Sequence, residues 1–437
     1  MTEIPIDEIA LVPTASTSHN NTGREGVQVV VRQGDCASRR KHLLTKIRRF
    51  PFCYILVLAL GILLLLSILS CILYETYRNG TLNFEHELVE HNIDDREYHM
   101  KIVNEVNSNQ KSTWKAKYNR FASRSQENNS EDLGEVSKLL TKKQNLSDEA
   151  LLQDTKEHLE SLIKAPLNLP KSFDSRLQWP KCATIHEAPN QGGCGSCWSV
   201  SAASTMSDRL CIATNGSVQE QLSAQDLTSC CHNCGGCQGT HWAHSSFVYW
   251  KEHGIVTGGD YGSWEGCRPY EMPPNCGSPC SSSTYTKKRT PSCSQTCQSL
   301  YGKSYYDDLF KSRKAYWIWA ERGGSEMTPI IHETIHSILK SESGTDIIKR
   351  EIFLNGPILA CFTLYEDFQH YDSGIYKPNR LKSKELYGHC AKLIGWGEEA
   401  GVQYWTYMNT WGRNWGEYGF FRIDQSEVPE EAVAGLL

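Results

Sequence analysis

The class the sequence predicts is a disulfide-stapled globular protein of the secretory pathway, in two or three domains, tethered to a membrane near its N-terminus. Three observations lead there. Of the 18 cysteines, Cys36, Cys53 and Cys71 lie early and the other fifteen fall between Cys182 and Cys390. That usage is too high for a reduced compartment. Positions 52–74 form an uncharged, mostly apolar run, long enough to cross a bilayer as a helix. Hydrophobic residues make up 39% of the 437, so most of the chain is expected to be globular. With 45 basic against 50 acidic side chains, a net charge of −5, there is no electrostatic footprint for nucleic acid, and no such partner is expected.

Residues 1–50 are polar and poor in aromatics, which predicts a disordered tail. The membrane helix is assigned to 51–74, its apolar core being 52–74. Arg39, Arg40, Lys41, Lys46, Arg48 and Arg49 precede it, and only Arg78 follows closely. The positive-inside bias places 1–50 in the cytosol and the rest in the lumen or outside, as a single-pass type II protein. Glycosylation triplets begin at Asn79, Asn128, Asn145 and Asn215, all on the far side of the span. Residues 75–168 are charged and free of cysteine, with helical apolar spacing over about 97–107 and 148–164. After Leu169-Pro170 the texture changes to Trp, Tyr, Gly and Cys, so the main globular domain is set at 169–437.

Residues 191–198 read QGGCGSCW. Cys194-x-x-Cys197 can be read as a redox dithiol, as zinc ligands together with Cys231, Cys234 and Cys237, or as a segment whose Cys197 is a catalytic thiolate. Thioredoxin-type motifs carry Trp before the first cysteine, and here Trp198 follows the second. Zinc needs four ordered thiolates, whereas an oxidising lumen favours disulfides. The third reading fits best, because C-G-S-C-W is a signature of papain-like enzymes.

From Leu169 onward the chain resembles the cathepsin B-type members of the papain family. The match runs through Leu169-Pro-Lys-Ser-Phe-Asp174, residues 191–198, Ser207-Asp-Arg-Leu-Cys211, Cys230-Cys231 and Gly266-Cys-Arg-Pro-Tyr270. It continues through Asn355-Gly-Pro357, Gly388-His389, Gly395-Trp-Gly397 and Asn409-Thr-Trp411. The resemblance implies an α+β papain-like fold of two domains, a helical half led by the Cys197 helix and a β-rich half carrying His389 and Asn409, with the cleft between them. It implies a cysteine endopeptidase acting on protein or peptide substrates, monomeric, without cofactor or metal. Cys197 is its nucleophile, paired as thiolate with the imidazolium of His389. Asn409 orients that ring, Trp411 shields the contact, and Gln191 with the Cys197 N–H forms the oxyanion hole. A thiol of pKa about 8.5 needs such an imidazolium and a helix N-terminus to ionise at mildly acidic pH.

The resemblance also implies the pairs Cys182–Cys211, Cys194–Cys237, Cys230–Cys293, Cys231–Cys234, Cys267–Cys297 and Cys276–Cys280. This leaves Cys361 and Cys390, placed on neighbouring strands at the floor of the S2 pocket and expected to form a seventh bridge. Gly239 and Thr240 stand where family members pair with substrate backbone. Glu430 or Glu431 stands where the family supplies an acidic residue to S2. Residues 102–116, ending Trp114-Lys-Ala116, resemble the helix-then-Trp pattern of cathepsin B propeptides. This implies that 75–168 blocks the cleft as propeptide, doubling as a stalk, until cleavage near Leu169 frees the enzyme from its anchor in an endo-lysosomal compartment or at the cell surface.

Four features stand apart from the family pattern. The exopeptidase members carry a His-His pair in a long disulfide-framed loop. Here the frame is Cys276-Gly-Ser-Pro-Cys280, too short to cross a cleft, and no His-His pair occurs in 265–297. The stretch 311–329 has no evident counterpart. His332-Glu333-Thr-Ile-His336 matches the zincin H-E-x-x-H, but its β-branched flanks predict a strand, and a zinc site is not expected. The alternative function is a catalytically silent papain-fold protein used for binding or adhesion.

Overall fold

The computed structural model describes residues 61–71, 95–124, 148–321 and 329–437. Within the apolar run, 61–71 is helical, with Ile62 and Leu63 to Leu66 exposed, and the rest of 52–74 lies outside the described residues. Among the described residues no helix is long and apolar enough to cross a membrane. The tail 1–50 and the glycosylation triplets at Asn79, Asn128 and Asn145 also lie outside them. Asn215 is exposed just beyond the helix that starts at Cys197, with a φ of 52°.

The core is one twisted sheet flanked by helices. Its strands are β1 (Trp114–Ala116), β2 (Phe173–Asp174), β3 (Lys314–Ala320), β4 (Ile358–Tyr365), β5 (Tyr371–Tyr376), β6 (Glu385–Glu399), β7 (Val402–Met408), β8 (Phe420–Asp424) and β9 (Glu431–Leu436). The order is β1-β5-β8-β7-β6-β4-β9-β3, with β2 paired to β6. Central β6 is buried continuously from His389 to Gly397, as expected of a strand covered on both faces.

Besides 61–71 and the single turn Ser175–Gln178, the helices are α1 (95–108), α2 (Asp148–Lys164), α3 (Cys197–Ala213), α4 (Ala224–Cys230), α5 (His244–Glu252), α6 (Ser282–Lys287), α7 (Pro329–Leu339) and α8 (Gly344–Asn355). Helix α3 runs through the middle of the molecule. Trp198, Ala202, Met206 and Leu210, at a spacing of four, are all at most 5% exposed. Two adjacent ionic residues near its C-terminal end are buried as well, and both are neutralised from the β half. Asp208 meets Lys392 of β6 at 2.7 Å. Arg209 meets Glu351 of α8 at 2.8 Å and donates to the Pro357 carbonyl at 2.8 Å. Buried charges persist only when paired in this way.

One expectation is corrected here. The H-E-x-x-H segment is a helix, α7, and not a strand. Its Ile331, Ile335 and Leu339 recur every four residues and are at most 2% exposed, so tertiary burial of a helical stripe overrides the β-propensity of its flanks. His336 is turned to the Ala320 carbonyl at 2.8 Å. Within the stretch 311–329, residues 314–320 form β3, which pairs with β9 and buries Tyr316 and Trp317 completely.

Candidate active site

Cys197 is the first residue of α3 and, with exposed Cys71, is one of the two free cysteines among the described residues. The loop before it is fastened to the Cys237 loop. The Gly195 N–H donates to the Cys237 carbonyl at 2.9 Å, and Cys194 is bonded to Cys237. A Cβ at Gly195 would stand 2.4 Å from that carbonyl, so only glycine permits the approach. Cys231 is bonded to Cys234. A Cys194/Cys197 dithiol and a zinc cluster are therefore both absent, and among the described residues no group of three His, Cys, Asp or Glu is placed to hold a metal ion.

The structure bonds seven cysteine pairs, Cys182–Cys211, Cys194–Cys237, Cys230–Cys293, Cys231–Cys234, Cys267–Cys297, Cys276–Cys280 and Cys361–Cys390. The last pair joins directly opposed residues of β4 and β6 and braces the strand that carries His389.

The first turn of α3 lies against the residue after His389. Ser201 Oγ donates to the Cys390 carbonyl at 3.2 Å, and the Cys390 backbone reaches the Cys197 sulfur. His389 is 1% exposed, with Nε2 at 2.8 Å from Asn409 Oδ1. Trp411 covers the ring at 4.9 Å between centroids, and Phe362 meets it edge-on at 5.8 Å. Asn409 Oδ1 also accepts from the Thr410 N–H at 2.8 Å, which fixes the amide. Thr410 then ties this half to the nucleophile loop. Its hydroxyl donates to Gln191 Oε1 at 2.5 Å, and its carbonyl accepts from the Gln191 N–H at 2.8 Å. Gln191 Nε2 spends one hydrogen on the Cys194 carbonyl at 2.8 Å and keeps a second. Thr410 was not singled out from the sequence; its position between Asn409 and Trp411 was the only signal.

Other expected positions are differently engaged. Gly239 has a φ of 96° with open space where a Cβ would stand, whereas the Thr240 hydroxyl bonds the Trp242 carbonyl of its own loop at 3.1 Å. Glu431 accepts from the Ala243 and His244 N–H groups at the start of α5 and from Trp317 Nε1 at 2.9 Å, and burial pushes its carboxyl up. Glu430 accepts from the Thr363 N–H at 3.0 Å. Neither carboxylate is left free of such partners.

Two tyrosines that the motif comparison passed over lie beside the thiol. Tyr387 precedes His389 by two residues on β6, and Tyr285 comes from α6. Their rings meet edge to face at 6.5 Å. Burial first, and then neighbours that include the Cys197 sulfur, push both phenols up. The Cys276–Cys280 ring is short, but the helix after it brings Tyr285 close to Cys197.

Segment 95–124 docks along the neighbouring rim. β1 pairs with β5, and Trp114 packs on Tyr371 and Tyr376. Asn119 Nδ2 donates to the Ser278 carbonyl at 2.6 Å, and Phe121 lies over Gly277. Residues 125–147 lie outside the described residues.

Desolvation decides the protonation states. Burial pushes the Cys197 thiol up, although backbone hydrogen bonds from Cys390, Trp198 and Cys197 oppose it. Burial also lowers His389 to about 4, against the hydrogen bond to Asn409. Cys197 keeps partial exposure while His389 is buried, and crowding around the pair works against charge on either group.

Comparison with known proteins comes down on one side. The family described as "Papain family cysteine protease" matches residues 169–434. The chain is 40% identical over 281 residues to "Cathepsin B-like cysteine proteinase 1" of Ostertagia ostertagi, covering 63% of this chain and 74% of that one. It is 38% identical over 295 residues to "Cathepsin B-like cysteine proteinase 6" of Caenorhabditis elegans, covering 64% and 70%. Among solved structures it is similar to "proCathepsin B S9 from Trypanosoma congolense", with 28% identity, a TM-score of 0.53, and coverage of 78% of this chain and 97% of that one.

In the full chain, alkylation of Cys197 by iodoacetamide should therefore follow a titration above the ordinary thiol range of about 8.5, with His389 neutral at all pH above about 4. A rate that has already reached its plateau at pH 6 contradicts this reading.

Proposed function

Because the chain belongs to the papain family of cysteine proteases, we propose that it is the proform of a membrane-anchored, cathepsin B-like endopeptidase whose chemistry is done by Cys197 and His389. The carrying observation is the meeting of a free cysteine at a helix N-terminus with the strand of a histidine that is itself held by Asn409 and roofed by Trp411. Once segment 95–124 leaves, water returns to the cleft and the proton passes from the thiol to His389. Thiolate sulfur then adds to the peptide carbonyl, and the developing oxyanion takes the second Gln191 Nε2 hydrogen and the Cys197 N–H. Collapse expels the amine, which takes its proton from His389. Water, deprotonated by the same ring, releases the acid and restores the thiol.

Endopeptidase action is supported by the short Cys276–Cys280 ring and the lack of a His-His pair over 265–297. The run 52–74 and the basic residues before it support a type II anchor, with the catalytic domain in a lumen or outside the cell. Retention of the full set Gln191, Cys197, His389 and Asn409 favours the enzyme over a silent binding protein. A peptidyl epoxide should label Cys197 in processed protein at pH 5–6, and Gln191→Ala should lower kcat by about 10²–10³ with a smaller change in KM. Processed protein that stays unlabelled overturns the proposal.

The docked proform holds its own acid trigger. The Asn119 N–H donates to His370 Nδ1 at 3.1 Å, so the remaining proton of that ring sits on Nε2, 3.0 Å from His99 Nδ1. Both acceptor nitrogens are then used, and a further proton must break one of the two bonds. Asp95 and Glu366 favour charging His99 and Arg124 opposes it, but burial outweighs them and keeps that ring lowered. Burial, followed by His99, lowers His370 to about 3. The docked state therefore binds fewer protons than the released state, and its advantage, present above about 6.5, is lost as pH falls. In a Cys197→Ala chain, hydrogen exchange in 95–124 should rise between pH 7 and pH 5, and much less in His370→Gln; equal pH dependence in both chains contradicts the trigger.

A further inference from the structure

Residues 148–164 lie in the part of the chain read as propeptide and stalk, yet they are built into the catalytic body. β3 is the last strand of the sheet and pairs only with β9, so its far edge presents unpaired N–H groups, an arrangement that folded proteins cover. Helix α2 covers it. Asp154 Oδ2 accepts from the Ala315 N–H at 2.9 Å, and Thr155 Oγ1 accepts from the Trp317 N–H at 3.1 Å. Leu152, Leu159 and Leu162 are 2%, 0% and 3% exposed, and the apolar stripe of α7 packs on the same helix.

The deepest contact is a hydrogen bond to a buried carboxylate. His158 Nε2 stands 2.6 Å from Glu351 Oε2, and its ring stacks on Tyr316 at 3.7 Å. The other oxygen of Glu351 accepts from Arg209 and from the Tyr316 hydroxyl, each at 2.8 Å. Arg209 belongs to the helix that begins at Cys197. The contact from α2 thus reaches the Cys197 helix through one intervening residue, Glu351. Segment 95–124 differs, since it lies on the rim and is held in part by a bond chain that one proton breaks.

We propose that α2 is a permanent part of the mature enzyme, so that the processing which clears the cleft leaves residues 148–164 seated on β3, whether or not the connection 165–172 is also cut. The occupant of this surface is the chain's own segment, and the docking site is the edge of β3 with the faces of α7 and α8. The inference rests on the reading of the chain as a proform. It also alters where the anchor is lost. A cut near Leu169 alone leaves the enzyme held to its N-terminal part through α2, and release from the anchor needs a cut between 75 and 147.

The test uses the full chain with recognition sequences for a specific protease inserted within 125–147 and at 165–168. After both cuts, size-exclusion chromatography at pH 5 and pH 7 should elute the 148–164 peptide with the catalytic body in one-to-one amount, as read by mass spectrometry. A Leu159→Asp chain cut the same way should lose the peptide, and His158→Ala should retain less of it than the parent. Elution of the parent peptide apart from a catalytic body whose circular dichroism is unchanged overturns the proposal. Epoxide labelling of the co-eluting fraction reports on the peptidase reading separately, because co-elution supports the retained helix whether or not Cys197 reacts.

Discussion

A two-domain peptidase has to hold a nucleophile from one half within reach of a base from the other, and apolar contact is too indifferent to direction to set that register alone. Here the register is carried by adjacent charges on one helix. Asp208 is held by Lys392, three residues after His389 on β6. Arg209 is held by Glu351 of α8 and by the carbonyl of Pro357, the residue before β4. Both sites lie beyond the reach of water, so neither charge can exchange its protein partners for solvent. Helix α3 therefore cannot slide or turn along the sheet without stranding a charge, and the place of Cys197 follows from that constraint.

The same burial that fixes the helix also silences the site. With Tyr285 and Tyr387 beside the thiol, desolvation favours neutral sulfur and neutral imidazole. The Gln191–Thr410–Asn409–His389 chain of hydrogen bonds is already made. Burial extends to Glu351. Desolvation alone would raise its carboxyl, but the charges and hydrogen bonds of His158 and Arg209 outweigh that and hold it below the usual carboxylate range.

The residues gathered at the site were legible in the sequence because each stands in a short motif of its own, as with Gly388-His389 and Asn409-Thr-Trp411. Helices 95–108 and Asp148–Lys164 were legible from apolar spacing that survives without tertiary context. What stayed hidden depends on partners far away in sequence. The α7 segment carries β-branched residues and becomes helical because α2, some 180 residues earlier, offers an apolar face. β3 carries no motif and is defined by its pairing with β9 at the other end of the domain. Tyr285 lies in the short helix α6, outside every motif, and nothing local to residue 158 announces a contact with Glu351. Motifs report chemistry held close in the chain, whereas edges, caps and buried ion pairs are properties of the assembled fold.

The dependence of the whole on the α3 charges is open to one direct measurement, a double-mutant cycle of Arg209→Met and Glu351→Leu by urea unfolding of the disulfide-intact chain. Each single change strands a buried charge and should cost about 3–5 kcal/mol. The double change removes both charges and should cost less than the sum, with a coupling of about 2 kcal/mol or more. Single effects that add to within about 0.5 kcal/mol would contradict the claim that this ion pair sets the position of the nucleophile helix.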